Sequence, residues 1–298
     1  MNYPNMTCVI PSLANEQTYP YLKLTVESLR SSGFSGNIIV STNGGRDKPN
    51  LSDIQGITVH AHNRTQGQCG AVNAAVQLMN MADKYVMVSN DDMYYAPDWD
   101  KNLKNYVNLD TDLFKYLCMS PNLVEPTNNA GSADPFLKCG NGYQIEDFDK
   151  DEVDKFISQS IKKFTYDEAG FNLPFIINAE LWRSIHGYDT AYDPFSSNSD
   201  TCLQTRINIA GVTPVRLRDV LVYHFSNKSG TFDFSQPERQ TLWQKNFDYF
   251  TDKYGFNRDT LPGCDVWYNK NMLPEDRSIM KFRPVWEDKY APKTNSES

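Results

Sequence analysis

The run Tyr85-Val86-Met87-Val88-Ser89 leads directly into Asn90-Asp91-Asp92, and this junction limits the possible folds more than any other segment. A near-continuous apolar run is typical of a strand buried on both faces of a parallel sheet, and ligands of open α/β sheets bind beyond the carboxyl ends of such strands. Neighbouring carboxylates repel each other unless a cation lies beside them, and their oxygens suit Mg²⁺ or Mn²⁺. The junction therefore predicts a divalent metal site. The alternative is a solvated turn before a helix that starts near Pro97 and Asp98.

Strand and helix patterns alternate through the first 110 residues. The predicted strands are 7–10, 37–41, 57–60 and 85–89, and the predicted helices are 19–32, 67–81 and 98–107. This alternation implies an α/β fold with a mostly parallel sheet flanked by helices and right-handed crossovers.

From about residue 113 the pattern becomes irregular. A strand at 114–119 is predicted to be followed by a long Pro-, Asn- and Gly-rich loop over 120–142 and a charged helix over 149–164. The remaining predicted elements are strands at 175–178 and 215–225, a helix at 200–210, and an aromatic helical extension at the C-terminus.

The charge balance and the cysteines narrow the classes of function. The 298 residues carry a formal net charge of -8, which argues against general nucleic-acid binding. There is no secretory signal pattern and no apolar stretch of membrane-spanning length, so we expect no transmembrane segment and a cytoplasmic location. The six cysteines form no C-x-x-C pair, and we expect them to be reduced and mostly buried.

Common nucleotide-binding and hydrolase motifs are missing from the sequence. There is no G-x-x-x-x-G-K-[ST] loop, and Gly67 and Gly70 do not form G-x-G-x-x-G. The nucleophile elbow G-x-S-x-G is also missing. A P-loop enzyme, a dinucleotide-binding domain of the usual kind and a serine hydrolase are therefore disfavoured.

Several segments together resemble family-2 glycosyltransferases of the GT-A fold. Segments 9–12, 38–47, 63–73 and 89–92 are similar to the donor-binding half of that family, and segments 177–182, 187–189 and 199–206 to its acceptor side. The resemblance covers about residues 6–226. It implies a catalytic domain over 1–226, with a nucleotide-sugar-binding half at 1–110 and an acceptor-side half at 111–226, followed by an extension at 227–298.

The resemblance implies a metal-dependent transferase that moves a sugar from a nucleotide-diphospho-sugar to an acceptor hydroxyl of a glycan or another molecule, with inversion. The metal ligands would be Asp92 and His224, and the imidazole favours Mn²⁺ over Mg²⁺. The general base would be Asp200, for which an N-cap of the following helix is the alternative. The implied donor-binding residues are Pro11, Ser12, Asn15, Asn43, Asp47, Asn63, Gly67, Asn73 and Asp91.

The chain departs from the family pattern at Asn43, where an acidic residue usually accepts the N–H of a uracil. An amide oxygen is a weaker acceptor than a carboxylate, so the identity of the base stays open. Nearby basic residues, Lys228 and Arg216 or Arg218, are candidates for neutralising phosphate.

Two other classes of protein share parts of this pattern. A nucleotidyltransferase has a similar sheet and acidic metal site, but its phosphates usually meet a Gly-rich basic loop, and residues 11–15 contain no Gly, Lys or Arg. A non-catalytic sugar-nucleotide-binding module is the second alternative, against which Asp91, Asp92 and Asp200 together argue.

Overall fold

The computed structural model describes residues 5–42, 51–62, 67–108, 113–127, 136–140, 142–161, 166–167, 170–226, 228, 235–257, 273–276, 278 and 280. The strands are β1 (Met6–Ser12), β2 (Asn37–Thr42), β3 (Thr58–Ala61), β4 (Tyr85–Val88), β5 (Met93–Tyr95), β6 (Val107–Asn108), β7 (Leu113–Phe114), β8 (Cys118–Pro126), β9 (Leu137–Cys139), β10 (Tyr166–Asp167), β11 (Phe175–Asn178) and β12 (Val215–His224). The helices are α1 (Tyr19–Ser31), α2 (Gly67–Val76), α3 (Trp99–Lys104), α4 (Lys150–Ser160), α5 (Ala179–Ser184), α6 (Ser199–Ile209) and α7 (Pro237–Tyr254).

The main sheet is mostly parallel, as the alternating pattern predicted. Its order is β10-β12-β8-β11-β4-β1-β2-β3, with β5 paired to β12 and β9 paired to β8. Among the described residues, the strands β1, β2, β3, β4, β8, β9 and β12 run in one direction, while β5, β10 and β11 run in the other. The carboxyl ends of β1, β4, β8 and β12 therefore meet at one edge of the sheet.

The two central strands of the N-terminal half are apolar because both of their faces are covered. All residues of β4 are buried, and β1 is buried except at Pro11. The register places Val9 beside Val88. Helices α1 and α2 pack against this part of the sheet, and the small residues of α2, such as Ala71 and Ala75, are fully buried. All five described cysteines are buried and free, as expected.

The prediction of a loop from residue 120 was wrong, because all nine residues of β8 are buried strand. Its prolines obscured this in the sequence, since proline cannot donate to the ladder and is tolerated in sheets mainly at edges and irregularities. Here Pro121 lies where the pairing with β12 shifts register, between Leu217 and Leu221.

Three smaller boundaries also differ from the sequence prediction. Helix α2 ends at Val76 rather than near residue 81, and α3 ends at Lys104. Val107, which was predicted to be helical, lies in β6. No helix in the described ranges is both long and apolar enough to span a bilayer.

The segment between α5 and α6 is tied to α2 by a carboxylate that is distant in sequence. Asp193 accepts hydrogen bonds from the backbone N–H groups of Cys69 (3.1 Å) and Gly70 (2.8 Å), which have no partner within the helix. Gly67 allows this approach, because a Cβ there would lie 2.1 Å from Asp193 Oδ1. Ser196 donates to the same oxygen at 2.7 Å.

We predict that Asp193→Ala lowers the free energy of unfolding by about 1–2 kcal/mol, the usual effect of losing a helix cap. Asp193→Asn keeps one acceptor oxygen and should lose less. Urea denaturation followed by circular dichroism measures both variants. Equal stability of the alanine variant and the parent would contradict the capping role.

Candidate active site

Polar side chains from four parallel strands converge at the carboxyl edge of the sheet. Ser12 ends β1, Asp91 and Asp92 follow β4, Glu125 lies near the end of β8, and His224 ends β12. Antiparallel pairing of β5 with β12 sets Met93 opposite His224, and the backbone N–H of Phe225 donates to the carbonyl of Asp92 at 3.0 Å. These contacts fix the acidic segment against the end of β12.

Asp91 is hydrogen-bonded to the end of the first strand. Ser12 Oγ donates to Asp91 Oδ2 at 2.5 Å and accepts the N–H of Ala14 at 3.0 Å. Burial and the neighbouring Asp92 carboxylate raise the pKa of Asp91 to about 7, against the opposing effect of the Ser12 hydrogen bond. Near neutral pH this carboxyl group therefore exchanges readily between its protonated and ionised forms.

Asp92 faces the imidazole of His224. Nε2 of His224 lies 3.3 Å from Asp92 Oδ1, and Nδ1 lies 2.9 Å from Glu125 Oε1. Burial alone would raise the pKa of Asp92, but His224 and Lys228 together outweigh it and the pKa lies below its usual value. Burial alone would lower the pKa of His224, but Asp92 and Glu125 outweigh it and raise that pKa to about 10.

Glu125 was missed by the sequence analysis because it lies in the segment predicted as a loop. It is only 4% exposed, and Lys138 Nζ approaches its second oxygen at 3.9 Å. A carboxylate on the far nitrogen of a histidine fixes the ring orientation and raises its basicity, as is usual for metal-binding histidines. A weak signal was available, since a glutamate flanked by apolar residues is seldom buried without a partner.

Asp92 and His224 suit a divalent metal ion by their chemistry and their spacing. A carboxylate oxygen and an imidazole nitrogen together favour Mn²⁺ over Mg²⁺. Neighbouring ligand atoms of an octahedral ion at about 2.1 Å lie roughly 3 Å apart, which is close to the observed 3.3 Å. Among the described residues no group of three or more His, Cys, Asp or Glu side chains could hold a metal. In the described part of the chain, Asp92 Oδ1 and His224 Nε2 are the candidate ligand atoms that face each other at this spacing.

Lys228 brings a buried positive charge to the same edge. Its backbone N–H donates to Asp92 Oδ2 at 3.5 Å, and its Nζ lies 3.5 Å from the centre of the Tyr143 ring. The side chain is largely buried, which lowers the pKa of Lys228, while Asp92 and Glu146 oppose the effect. An ammonium group held over an aromatic ring is a ready counter-charge for an anionic ligand.

Asp200 lies in the first turn of α6. The helix begins at Ser199 and its N-cap is Asn198, so the alternative that Asp200 is the N-cap is wrong. Tyr188 donates its hydroxyl to Asp200 Oδ1 at 2.8 Å. Burial raises the pKa of Asp200, and the Tyr188 hydrogen bond partly offsets this.

The two nearest alternative carboxylates along the chain have structural partners. Asp189 forms an ion pair with Lys253 at 2.5 Å and accepts the Tyr249 hydroxyl at 3.0 Å. Asp193 caps α2 as described above. Asp200 differs from both because, within the described ranges, its side chain accepts one hydrogen bond, from a neutral phenol.

The predicted donor-binding residues are placed as follows. Pro11 lies beside Ser41 in the β1–β2 pair, and the Asn15 side chain accepts the backbone N–H of Thr18 at 2.9 Å before α1. Gly67 opens α2, and Asn73 binds the backbone of Tyr188 through both its amide nitrogen (2.7 Å) and its amide oxygen (2.9 Å). The predictions for Asn43, Asp47 and Asn63 fall outside the described residues.

Comparisons with known proteins agree on the fold. The sequence model of glycosyl transferase family 2 matches residues 7–164. A crystal structure of GalNAc-T7 with UDP, GalNAc and Mn²⁺ is similar over 88% of this chain and 52% of its own, with a TM-score of 0.52 and 12% identity. Residues 1–349 of S. aureus TarS are similar over 86% and 73%, with a TM-score of 0.51 and 11% identity.

The present chain spans about half the length of the GalNAc-T7 chain. No curated protein sequence matches it significantly. At these identities the structural similarity shows a shared fold, the GT-A glycosyltransferase architecture.

We predict that in the metal-free protein Glu125→Gln lowers the pKa of His224, because the glutamate charge that stabilises the imidazolium is removed. NMR titration of the imidazole resonances measures the midpoint. Glu152→Gln removes the same charge from an exposed position of α4 and is the matched control. The same His224 midpoint in parent and Glu125→Gln would show that Glu125 does not set the state of the ring.

Proposed function

Because this chain belongs to glycosyl transferase family 2, we propose that it transfers a sugar from a nucleotide-diphospho-sugar to an acceptor hydroxyl, with a divalent metal ion as cofactor. The observation that carries the proposal is the set Asp92, His224 and Glu125 at the carboxyl edge of the parallel strands. Ligands of open α/β sheets bind at this edge.

Asp92 Oδ1 and His224 Nε2 would hold the metal, and Glu125 would orient the imidazole through Nδ1. His224 can bind a metal only after Nε2 releases its proton. A bound divalent ion supplies Lewis-acid stabilisation of the charge that develops on the leaving diphosphate. The GalNAc-T7 structure with UDP and Mn²⁺ supports this choice of cofactor and donor class.

The donor would lie along the ends of β1, β2 and β4. Ser12 and Asp91 form one wall through their hydrogen bond, and Lys228 would offer its charge to the diphosphate. Of the remaining donor-binding residues implied by the sequence, Pro11, Asn15, Asn43, Asp47, Asn63 and Gly67 are retained in this proposal. Asn73 is left out, because both polar atoms of its amide bind Tyr188.

Asp200 would be the general base. An inverting transfer needs a carboxylate that takes the proton of the acceptor hydroxyl as this hydroxyl attacks the sugar carbon. Asp200 supports that role because it forms no ion pair among the described residues and keeps Oδ2 without a hydrogen-bond donor there. Asp189 and Asp193 are less suited to this role, because other groups already bind their carboxylates. A lysine binds Asp189, and N–H groups of a helix bind Asp193.

The first test incubates the protein with Mn²⁺ and UDP-, GDP- or dTDP-sugars, and measures the nucleotide released. We expect metal-dependent release from at least one donor, and loss of that release in Asp92→Asn, because a neutral amide binds a divalent ion far more weakly than a carboxylate. Calorimetry should show loss of metal-dependent donor affinity, with a smaller loss in His224→Ala that is greater with Mn²⁺ than with Mg²⁺.

Asp98→Asn is the matched control for the first test, since it removes a carboxylate from an exposed position beyond β5. Unchanged metal-dependent affinity in Asp92→Asn would refute the metal assignment. Release of sugar 1-phosphate instead of a nucleoside diphosphate would identify transfer of the nucleotidyl group, the reaction of a nucleotidyltransferase.

The second test separates binding from chemistry. Asp200→Asn should keep donor affinity within a few-fold but lower transfer by about 10²-fold or more, the scale expected for loss of a general base. The amide oxygen can still accept the Tyr188 hydroxyl, so local structure should be preserved. Asp189→Asn is the control, and transfer at the parent rate by Asp200→Asn would mean that another carboxylate is the base.

A further inference from the structure

Tyr188 connects the acceptor side to a helix of the donor side. It lies on the segment between α5 and α6 and is only 2% exposed. Its hydroxyl donates to Asp200 Oδ1 at 2.8 Å. Its backbone N–H donates to Asn73 Oδ1 at 2.9 Å, and its carbonyl accepts from Asn73 Nδ2 at 2.7 Å. One residue therefore joins α2 to the carboxylate in α6.

Two helices contact the backbone next to Tyr188. A Cβ on Gly187 would lie 2.5 Å from Asn73 Oδ1, so the approach of α2 requires glycine there. Arg206 of α6 donates to the Gly187 carbonyl at 2.8 Å. The ring of Tyr188 also packs edge-on against Trp182 of α5, with ring centroids 5.8 Å apart. These contacts leave the phenol little freedom to turn away from Asp200.

We propose that Tyr188 is a positioning residue for Asp200, and that Asn73 of the donor-side helix α2 fixes Tyr188 through its backbone. The proposal rests on the proposed role of Asp200 as the base. In it, Tyr188 occupies Oδ1 and thereby leaves Oδ2 to take the proton of the acceptor hydroxyl. Asn73 acts in this arrangement as a scaffold rather than as a ligand of the nucleotide.

The groups that face Asp200 favour this role for a neutral donor. Burial keeps the pKa of Tyr188 well above its usual value, so the phenol stays protonated at all working pH values. Cys69 of α2 is also near Asp200. Burial and the neighbouring Asp193 raise the pKa of its thiol, which is therefore neutral. Arg206 donates to Gly187 rather than to the carboxylate. The Tyr188 hydroxyl is thus the group among the described residues that stabilises ionised Asp200.

The test is the pH profile of kcat/KM for transfer by Tyr188→Phe. A general base must be ionised, so the acid limb reports its pKa, and removing a donor to the ionised form moves that limb to higher pH. We expect a shift of about one pH unit, the scale of a hydrogen bond to a charged group. On the acid limb this is a roughly tenfold loss of rate, while calorimetric donor affinity stays unchanged.

Tyr85→Phe is the matched control. It removes a hydroxyl from an equally buried tyrosine, which donates to the Phe114 carbonyl at 3.3 Å, and it should leave the acid limb in place. Asn73→Ala should lower kcat and shift the limb in the same direction as Tyr188→Phe, without weakening donor binding. A weaker donor affinity with an unmoved limb would instead make Asn73 a donor ligand and overturn its part of the proposal.

The outcomes distinguish this proposal from the proposed function. If Asp200→Asn is inactive while Tyr188→Phe keeps the parent acid limb and kcat, Tyr188 is a packing residue and only the further inference is wrong. If Asp200→Asn transfers sugar at the parent rate, the base assignment itself fails, and the positioning role fails with it. Thermal denaturation of each variant shows whether a rate loss reflects unfolding.

Discussion

Asp91 and Asp92 are neighbours at the end of a buried strand, where water cannot screen the repulsion between their carboxylates. Their surroundings shift the pKa values of the two carboxyl groups in opposite directions. Ser12 donates to Asp91, whose pKa nevertheless rises to about 7, whereas His224 holds the pKa of Asp92 below its usual value. The imidazole of His224 is in turn paired with Glu125 through its other ring nitrogen. These partners come from β1, β8 and β12, so the acidic pair is tolerable only because parallel strands end together at this edge.

The N-terminal half was predictable because its signals are local. Apolar runs with short polar junctions identify β1, β2 and β4, and the structure confirms them with shifts of one or two residues at their ends. Strand β8 was not predictable in this way, because its sequence Cys-Met-Ser-Pro-Asn-Leu-Val-Glu-Pro mixes buried polar residues and prolines. The partners of such residues are distant in sequence, as when Ser120 accepts the N–H of Asn172. Glu125 was not predicted as a site residue because it lies in that strand.

The same holds for the candidate site: the sequence predicted its residues but not their contacts with residues distant in the chain. The positions of Asp92, His224 and Asp200 followed from the resemblance to the family, but the contacts that define their states did not. Asp193 and the helix that it caps are separated by more than a hundred residues, as are Asn73 and Tyr188. No periodicity or spacing reports such contacts, since they depend on how the segment between α5 and α6 folds back onto α2. The sequence therefore indicated candidate residues, while only the structure gave the partners of Asp92, His224 and Asp200.

The environments of Asp92 and Asp200 suit the two different roles that we propose for these aspartates. In the metal-free protein Asp92 faces the imidazolium of His224 and lies beside a buried lysine, and this positive charge keeps the carboxylate ionised. In the proposed function the metal ion replaces the proton on Nε2 of His224. Among the described residues, Asp200 accepts a hydrogen bond from the neutral phenol of Tyr188, and burial raises its pKa and makes it a better proton acceptor. Pairs of titratable groups whose surroundings push their pKa values apart are a common basis for acid–base assignments. Because both residues are aspartates, their surroundings determine which role each one has in this proposal.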